Sequence, residues 1–508
     1  MSASKTSSQA PEFSKVRAAL WPVHQHELKK FLPMCFIMFF ILFNYSILRN
    51  TKDALVITAP GSGPEILSAL KFYVVMPMAV LFVVMYTKLA NIFAREVLFV
   101  GFISIFIAFF LAFSFVIYPN LESYHPSIDL VDQVNAAYPR LQAIIPVWGV
   151  WTYSLFYMMS ELWGSVMLSL LFWQYANEII RTEEAKRFYA LFGLIANVAL
   201  LVAGELNERL SDIKNSLPEG VDPWGMSLKY LTSAVAVAGI AAIILYLYLN
   251  HVVLKDPRYA PVESGKKTKK SKPKLSVGES FKYIFTNPYI GLIALLVIGY
   301  GISINLIEVV WKYNIKVVYP DSNDYNAFMG KFTKLTGLTT IILIMFTKGI
   351  VRKFGWFWGA IVTPMITITT GGLFFTFIFA GEIFDSWLMG LGYSASFAAM
   401  WIGATQNFLT KGTKYSNFDP TKEMAYIPLD PELKSKGKAA VDVIGGRLGK
   451  AGGSAVQQIL FFGLGTKEIM VVAPYLAGIV AVVVAAWAFA VKVLSKQYNA
   501  KIEEAHAS

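Results

Sequence analysis

Charged residues at the end of the first long apolar run are the first candidates for chemistry in this sequence. Tyr45, Arg49 and Lys52 lie in or directly after the run 31–47, and their i, i+4, i+7 spacing puts them on one helix face. A charge at membrane depth costs about 3 kcal/mol on insertion scales, so it usually serves a function. Two long basic side chains suit an anionic ligand, or an interfacial anchor that extends to the lipid headgroups.

A carboxylate inside the membrane is predicted on the fourth apolar run. Tyr153, Tyr157, Glu161 and Ser165 recur every four residues and give this helix a polar, partly aromatic face. A carboxylate in such a place either takes part in a ligand pathway or pairs with a base on a neighbouring helix. The spacing allows both interpretations.

The seventh and eighth apolar runs carry further charges at helical spacing. Asn305, Glu308 and Lys312 lie at i, i+3 and i+7, again on one face. Glu308 and Lys312 are also four residues apart, so they can neutralise each other within the helix. Lys331 and Lys334, three residues apart, either hold a phosphate group or frame the entry of the helix into the membrane.

The glycine-rich stretch 445–453 places two more bases on the eleventh run. It contains Gly-Lys like a P-loop, but its leading glycine is one residue too close, and Ala451 replaces the Ser or Thr that binds Mg²⁺. Glycines at 445, 449 and 453 instead predict close packing against another helix. Arg447 and Lys450 would then be two fixed donors, since Arg binds phosphate bidentately and Lys acts as a point charge.

Composition identifies a polytopic membrane protein. The 508 residues are 56% hydrophobic and 15% charged, with a mean hydropathy of +0.52. The net charge of +12 does not indicate nucleic acid, because the bases fall in short loops between apolar runs. Cys35 is the single cysteine, and the sequence shows no serine-histidine-acid grouping and no metal-ligand cluster. We therefore expect neither an enzyme nor a resident cofactor.

The predicted fold is an all-α polytopic membrane protein of about twelve transmembrane helices in two six-helix halves, of the major-facilitator type. The predicted spans are 31–52, 68–87, 96–118, 147–173, 187–208, 228–253, 288–312, 327–347, 355–380, 387–408, 439–463 and 469–493. They divide the chain into an N-terminal segment 1–30, a bundle 31–253, a basic linker 254–287, a bundle 288–493 and a tail 494–508.

The distribution of charge predicts orientation and ligand. Most Lys and Arg residues fall in the loops on the side of the chain termini, so both termini and the linker are expected to be cytoplasmic. Bases within or at the ends of the spans outnumber the clearest acids there, which are Asp53, Glu161, Glu308 and Asp442. These bases are Arg49, Lys52, Lys71, Lys312, Lys331, Lys334, Arg447 and Lys450. The positive excess predicts a polyanionic ligand.

The two halves show weak internal similarity. The stretch 184–186 leading to Gly204 can be laid beside 432–434 leading to Gly452, and Lys52 falls opposite Lys312. Parallel repeats of this kind are typical of secondary transporters, whose site lies at the interface of the halves near the membrane midplane.

Six segments are distinctive: 48–56 (LRNTKDALV), 161–165 (ELWGS), 303–312 (SINLIEVVWK), 425–430 (AYIPLD), 436–440 (KGKAA) and 449–453 (GKAGG). They resemble segments of the nucleotide transporter family, the ATP/ADP translocases of obligate intracellular bacteria and plastids. The resemblance runs from about 30 to 490, and without a recognisable transit peptide the sequence looks like a bacterial member of the chlamydial type.

This resemblance implies a function and a set of residues. It implies a monomeric antiporter in a bacterial inner membrane that imports host ATP in exchange for ADP, with inorganic phosphate as an optional co-substrate. It also implies that Lys52, Glu161, Glu308 and Lys450 are needed for transport. A proton-coupled importer of nucleotides or of another organic phosphate is the alternative, and no residue separates the two. One or two aromatic residues near the basic cavity are expected to stack on a purine ring, without the sequence indicating which.

Overall fold

A computed structural model of the chain describes residues 21–259, 282, 284–347, 349–441 and 446–507, and it leaves out some side chains within these ranges. No strand occurs in this part of the chain, which confirms the all-α prediction. The twelve long helices are α1 (Gln25–Ile57), α2 (Ile66–Ile92), α3 (Arg95–Tyr124), α4 (Trp151–Ile179), α5 (Thr182–Asp212), α6 (Pro223–Val253), α7 (Pro288–Val318), α8 (Ser322–Thr347), α9 (Trp356–Gly390), α10 (Ala395–Thr413), α11 (Gly446–Leu464) and α12 (Ile469–Ala507). Most of the predicted linker 254–287 lies outside the described residues.

Ten helices in the described ranges are long and apolar enough to cross a membrane. The other two long helices, α10 and α11, fall at the predicted spans 387–408 and 439–463. They are more polar because of what they carry: α10 buries Gln406, Asn407, Thr410 and Lys411. Polar side chains inside a bundle generally face other helices or a cavity. The polar side of α10 therefore faces the interior of the bundle.

Wide helical turns interrupt several spans. One such π-helical segment, Gly164–Phe172, lies within α4, and another, Lys414–Phe418, directly follows α10. Each begins three residues after a charged side chain, Glu161 in α4 and Lys411 in α10. Such segments are rare and often occur at functional sites.

Glycines bring α5 and α8 into contact between the two halves. A Cβ atom on Gly204 would lie 2.6 Å from the Gly330 carbonyl oxygen, so neither position accepts a larger side chain without movement. Near the end of α5 and the start of α8, the Asn326 amide donates to Ser211 Oγ at 2.8 Å. We call the face of the bundle at which α1 begins and α12 ends the terminal face, and the opposite one the distal face. The α5–α8 seam runs towards the distal face.

A second seam joins α2 and α11 near the same face. The Gln458 amide on α11 donates to Ser68 Oγ on α2 at 2.7 Å. Close by, Thr58 after α1 and Ser322 on α8 share a hydrogen bond of 2.6 Å. The halves are therefore packed together on the distal side of the bundle centre.

Candidate functional site: a central ion-pair network

The bundle centre holds a network of charged residues from both halves. On α1, Lys52 Nζ lies 2.7 Å from Asp53 Oδ1 and 3.0 Å from Glu161 Oε1 of α4. The other Asp53 oxygen accepts from Lys312 Nζ of α7 at 2.8 Å. Asp53, Lys52 and Lys312 are 1%, 3% and 3% exposed. One buried carboxylate therefore bridges two lysines on opposite halves of the protein.

Glu308 on α7 contacts Lys312 and two further bases. Its Oε1 lies 3.3 Å from Lys411 Nζ of α10, 3.6 Å from Lys312 Nζ and 3.6 Å from Arg49 Nη2 of α1. The Glu308 and Lys312 pair expected within α7 therefore exists, but it is one contact among several. Because Arg49 and Glu308 belong to different halves, this carboxylate forms a second bridge between them.

Helical spacing explains how α1 and α4 present their charges. Lys52 Nζ stands 3.7 Å from the centroid of the Tyr157 ring, and Tyr157 is one turn from Glu161 on α4. The two helices approach closely because residue 164 has no side chain: a Cβ there would lie 2.5 Å from Tyr45 Cε2. The aromatic face predicted for the fourth span thus packs against the charged face of the first.

Lys71 of α2 and Gln457 of α11 contact Asn305 on the polar face of α7. Lys71 Nζ of α2 donates to Asn305 Oδ1 at 2.8 Å, and the Gln457 amide of α11 donates to the Asn305 backbone oxygen at 3.4 Å. Lys71, Asn305, Glu308, Lys312 and Gln457 line a narrow crevice together with Leu67, Ser68, Val309 and Ser454. The crevice lies between the two halves and is lined mainly by polar groups.

Close packing of α11 through its glycines is confirmed for two positions. A Cβ on Gly301 of α7 would lie 2.6 Å from the Gly449 Cα, and one on Gly453 would lie 2.8 Å from the Asn305 Cβ. The third glycine of the motif, at 445, lies outside the described residues, as do the side chains of Arg447 and Lys450. The backbone that carries these two bases nevertheless packs against the α7 face of the network.

The predicted bases of α8 lie elsewhere. Lys334 Nζ lies 2.6 Å from Glu205 Oε2 of α5 and also contacts Glu208, so it belongs to the α5–α8 seam. Lys331 is exposed, and its Nζ lies 5.3 Å from the Trp401 ring centroid. The structure thus brings together Arg49, Lys52, Glu161, Asn305, Glu308 and Lys312, but not Lys331 or Lys334.

Three members of the network were not predicted as site residues from the sequence. Asp53 and Lys71 are recognisable as intramembrane charges but not as site residues, because partners on other helices cannot be read from one sequence. Lys411 falls in a loop after the predicted span 387–408, whereas α10 runs to Thr413. The available signal is the i, i+4 spacing of Asn407 and Lys411, which continues the polar face of α10.

The two cross-half ion pairs lie one helical turn apart. Asp53 and Lys312 are 259 residues apart, and Arg49 and Glu308 have the same separation. The pairs therefore follow one another along α1 and α7, and the repeat predicted from the sequence stays a prediction.

One side of the network is open. Although they lie inside the bundle, Arg49 is 33% exposed and Glu161 is 24% exposed. On α4, Ser165 is exposed on the terminal side of Glu161, whereas Tyr157 on the distal side is fully buried. The network is thus partly accessible on the side that faces the terminal face.

Comparisons with known proteins agree with this architecture. Residues 6–498 match the family described as TLC ATP/ADP transporter. The chain is 47% identical to ADP,ATP carrier protein 1 of Chlamydia muridarum, over 96% of this chain and 92% of that protein. It is 44% identical to ADP,ATP carrier protein 1 of Rickettsia bellii, over 96% of each.

The fold also resembles solved transporters. A bacterial homologue of the iron transporter ferroportin, in an inward-facing state, superposes with a TM-score of 0.58 at 13% identity, covering 92% of this chain and all of that one. At this identity the likeness concerns the fold alone, and it confirms the predicted major-facilitator-like architecture. Together with the sequence matches, it shows that this multi-pass membrane protein is a transporter and belongs to the TLC ATP/ADP transporter family.

Proposed function

We propose that this protein exchanges ATP for ADP across a membrane by alternating access, and that the central network binds the phosphate chain. Family membership supports the exchange, and one observation supports the site. The described network contains five bases, Arg49, Lys52, Lys71, Lys312 and Lys411, against three carboxylates, Asp53, Glu161 and Glu308. The positive excess and the multiple donors suit a polyphosphate.

In this proposal the carboxylates form ion pairs with the bases while nucleotide is absent. Asp53 satisfies Lys52 and Lys312, and Glu308 satisfies Arg49 and Lys411. Phosphate oxygens would compete for the same donors, and a guanidinium favours them because it binds two oxygens at once. Since Asp53 and Glu308 each bridge the halves, nucleotide that takes over their bases would weaken both bridges and permit reorientation.

The excess of bases over carboxylates also gives a reason for exchange in this proposal. Without nucleotide, reorientation would leave the excess bases of the network without counter-ions in a low-dielectric interior, which is unfavourable. The nucleotide supplies the missing negative charge in both directions. The Lys450 and Arg447 side chains, on a helix that packs beside the network, are proposed to add to this excess.

Both halves of the network belong to one chain, and we therefore propose that a single copy forms the complete pathway. We also propose that the accessible side of the network, the termini and the linker face the cytoplasm, as the distribution of Lys and Arg predicts. In this conformation the distal seams are closed, so nucleotide would reach the site from the terminal face.

Uptake of labelled ATP into vesicles that contain the purified protein tests the proposed exchange. Vesicles preloaded with ADP should accumulate ATP, and empty vesicles should not. Parallel samples with internal phosphate examine whether phosphate accompanies ADP. Uptake that needs a proton gradient and no internal nucleotide would overturn the exchange mechanism.

A further inference from the structure

An exposed tyrosine lies one helical turn after Lys411 of the network. Tyr415 lies in the π-helical segment Lys414–Phe418 and is 51% exposed, although it follows a helix whose last three residues are buried. Its hydroxyl group makes no hydrogen bond to another residue that the structure describes. About half of this residue is therefore open, whereas aromatic rings inside proteins generally bury much of their area.

A lysine lies close to the Tyr415 ring. Lys414 Nζ stands 4.4 Å from the Tyr415 ring centroid and 5.7 Å from that of Tyr300. Asp419 fixes this lysine through an ion pair of 2.7 Å. A cation above one face of the ring anchors it electrostatically. The exposed area of Tyr415 shows that much of the ring remains accessible.

Its neighbours put Tyr415 close to charged residues of both halves. Arg49 of α1, in the other half of the protein, lies within electrostatic range of both Tyr415 and Tyr300. Lys411, which contacts Glu308, precedes Tyr415 by four residues and so lies on the same side of the helix. Since α10 runs from the distal to the terminal face, Tyr415 lies on the open side of the network.

We propose that Tyr415 is the stacking platform for the purine base of the transported nucleotide. This inference rests on the proposed function and adds an orientation: the phosphate chain points to the network and the base towards the terminal face. The accessible ring can stack on a base, while Arg49 and Lys411 are near enough to reach the phosphate chain. Stacking tolerates any base with a flat ring, so Tyr415 would provide affinity rather than selection among bases.

Binding to the purified protein in detergent tests the proposal. The Tyr415→Ala variant lacks the proposed stacking contact. Because such contacts contribute roughly 1–3 kcal/mol per base, this variant should bind ATP about tenfold more weakly than the unmodified protein. Tyr415→Phe keeps the ring and should restore most of the affinity. Tyr475 on α12 has a matched exposure of 52%, and Tyr475→Ala should bind like the unmodified protein. Tripolyphosphate, which has charge but no base, should bind Tyr415→Ala and the unmodified protein equally.

A spectroscopic signal separates stacking from a general loss of structure. The fluorescence of ethenoadenosine triphosphate should be quenched on binding to the unmodified protein and to Tyr415→Phe, but not to Tyr415→Ala. Unchanged ATP affinity and quenching in Tyr415→Ala would overturn the proposal, as would an equal loss of ATP and tripolyphosphate binding. Failure of the unmodified protein to exchange ATP for ADP would instead contradict the proposed function.

Discussion

Replacement of Asp53 by asparagine removes the charge that joins the two halves while keeping the shape of the side chain. Its carboxylate lies 2.7 Å from Lys52 and 2.8 Å from Lys312, and all three residues are at most 3% exposed. Removing one partner of a buried ion pair usually costs about 3–5 kcal/mol, because the other charge stays buried without compensation. Asp53→Asn should therefore unfold at a clearly lower temperature.

The same substitution should strengthen nucleotide binding. In the proposed mechanism ATP competes with Asp53 for two lysines, so the variant offers both without competition. Ligand that binds only the folded state stabilises it by about 2.7 kcal/mol at one hundred times its dissociation constant. Saturating ATP should thus recover much of the lost stability and raise the unfolding temperature more in Asp53→Asn than in the unmodified protein.

Thermal unfolding in detergent, measured over a series of ATP concentrations, provides the assay. Asp256→Asn is the control, because its pair with Arg258 lies at the surface, where water screens both charges and the pair contributes little. If Asp53→Asn unfolds like the unmodified protein and binds ATP no more tightly, Asp53 neither bridges the halves nor competes with phosphate.

The remaining predictions concern reorientation and charge movement. Glu308→Gln removes a bridge to Arg49 and should impair exchange more than ATP binding, and equal losses in both measurements would refute this role. Gly330→Ala places a Cβ 2.7 Å from the backbone of α5, so it should open the distal seam and increase labelling of a cysteine introduced at Ser322. Gly478→Ala, with no atom within 4 Å, should leave that labelling unchanged. Exchange of ATP⁴⁻ for ADP³⁻ moves one net charge, worth about 2.3 kcal/mol per 100 mV, so a membrane potential should change the rate unless phosphate accompanies ADP.

The sequence allows prediction wherever a charge interrupts an apolar helix. Lys52, Glu161 and Glu308 are identifiable because a charge at membrane depth is costly and because helical spacing places it on a polar face. The glycines at 449 and 453 indicate helix packing for a similar reason, since small residues at spacing four allow close approach. These inferences use one helix at a time.

The ion-pair partners on other helices could not be predicted, because they depend on which helices pack together. Lys312 lies closer to Asp53 than to Glu308, because α1 approaches α7 at this point. The spacing within α7 indicates only the pair with Glu308. In the same way, Lys334 pairs with α5 because Gly204 and Gly330 bring α5 and α8 together. Tertiary packing decides between ligand binding and structural pairing, and a single sequence does not contain that information directly.

The boundaries of polar spans are also poorly predicted. Hydropathy ends the tenth span at 408, because the residues that follow it are polar. The helix continues to Thr413 because those side chains face the bundle interior, where they find partners. Lys411 is missing from the predicted site for this reason alone.

The central claim, that the network binds the phosphate chain during exchange, is tested most directly with the double variant Lys52→Ala/Lys450→Ala. ATP binding and ADP-dependent ATP uptake would be measured side by side in vesicles, with Lys229→Ala on α6, outside the network, as the control. We predict that the double variant inserts and folds but loses both activities, whereas Lys229→Ala retains them. Near-normal exchange by the double variant would contradict the claim.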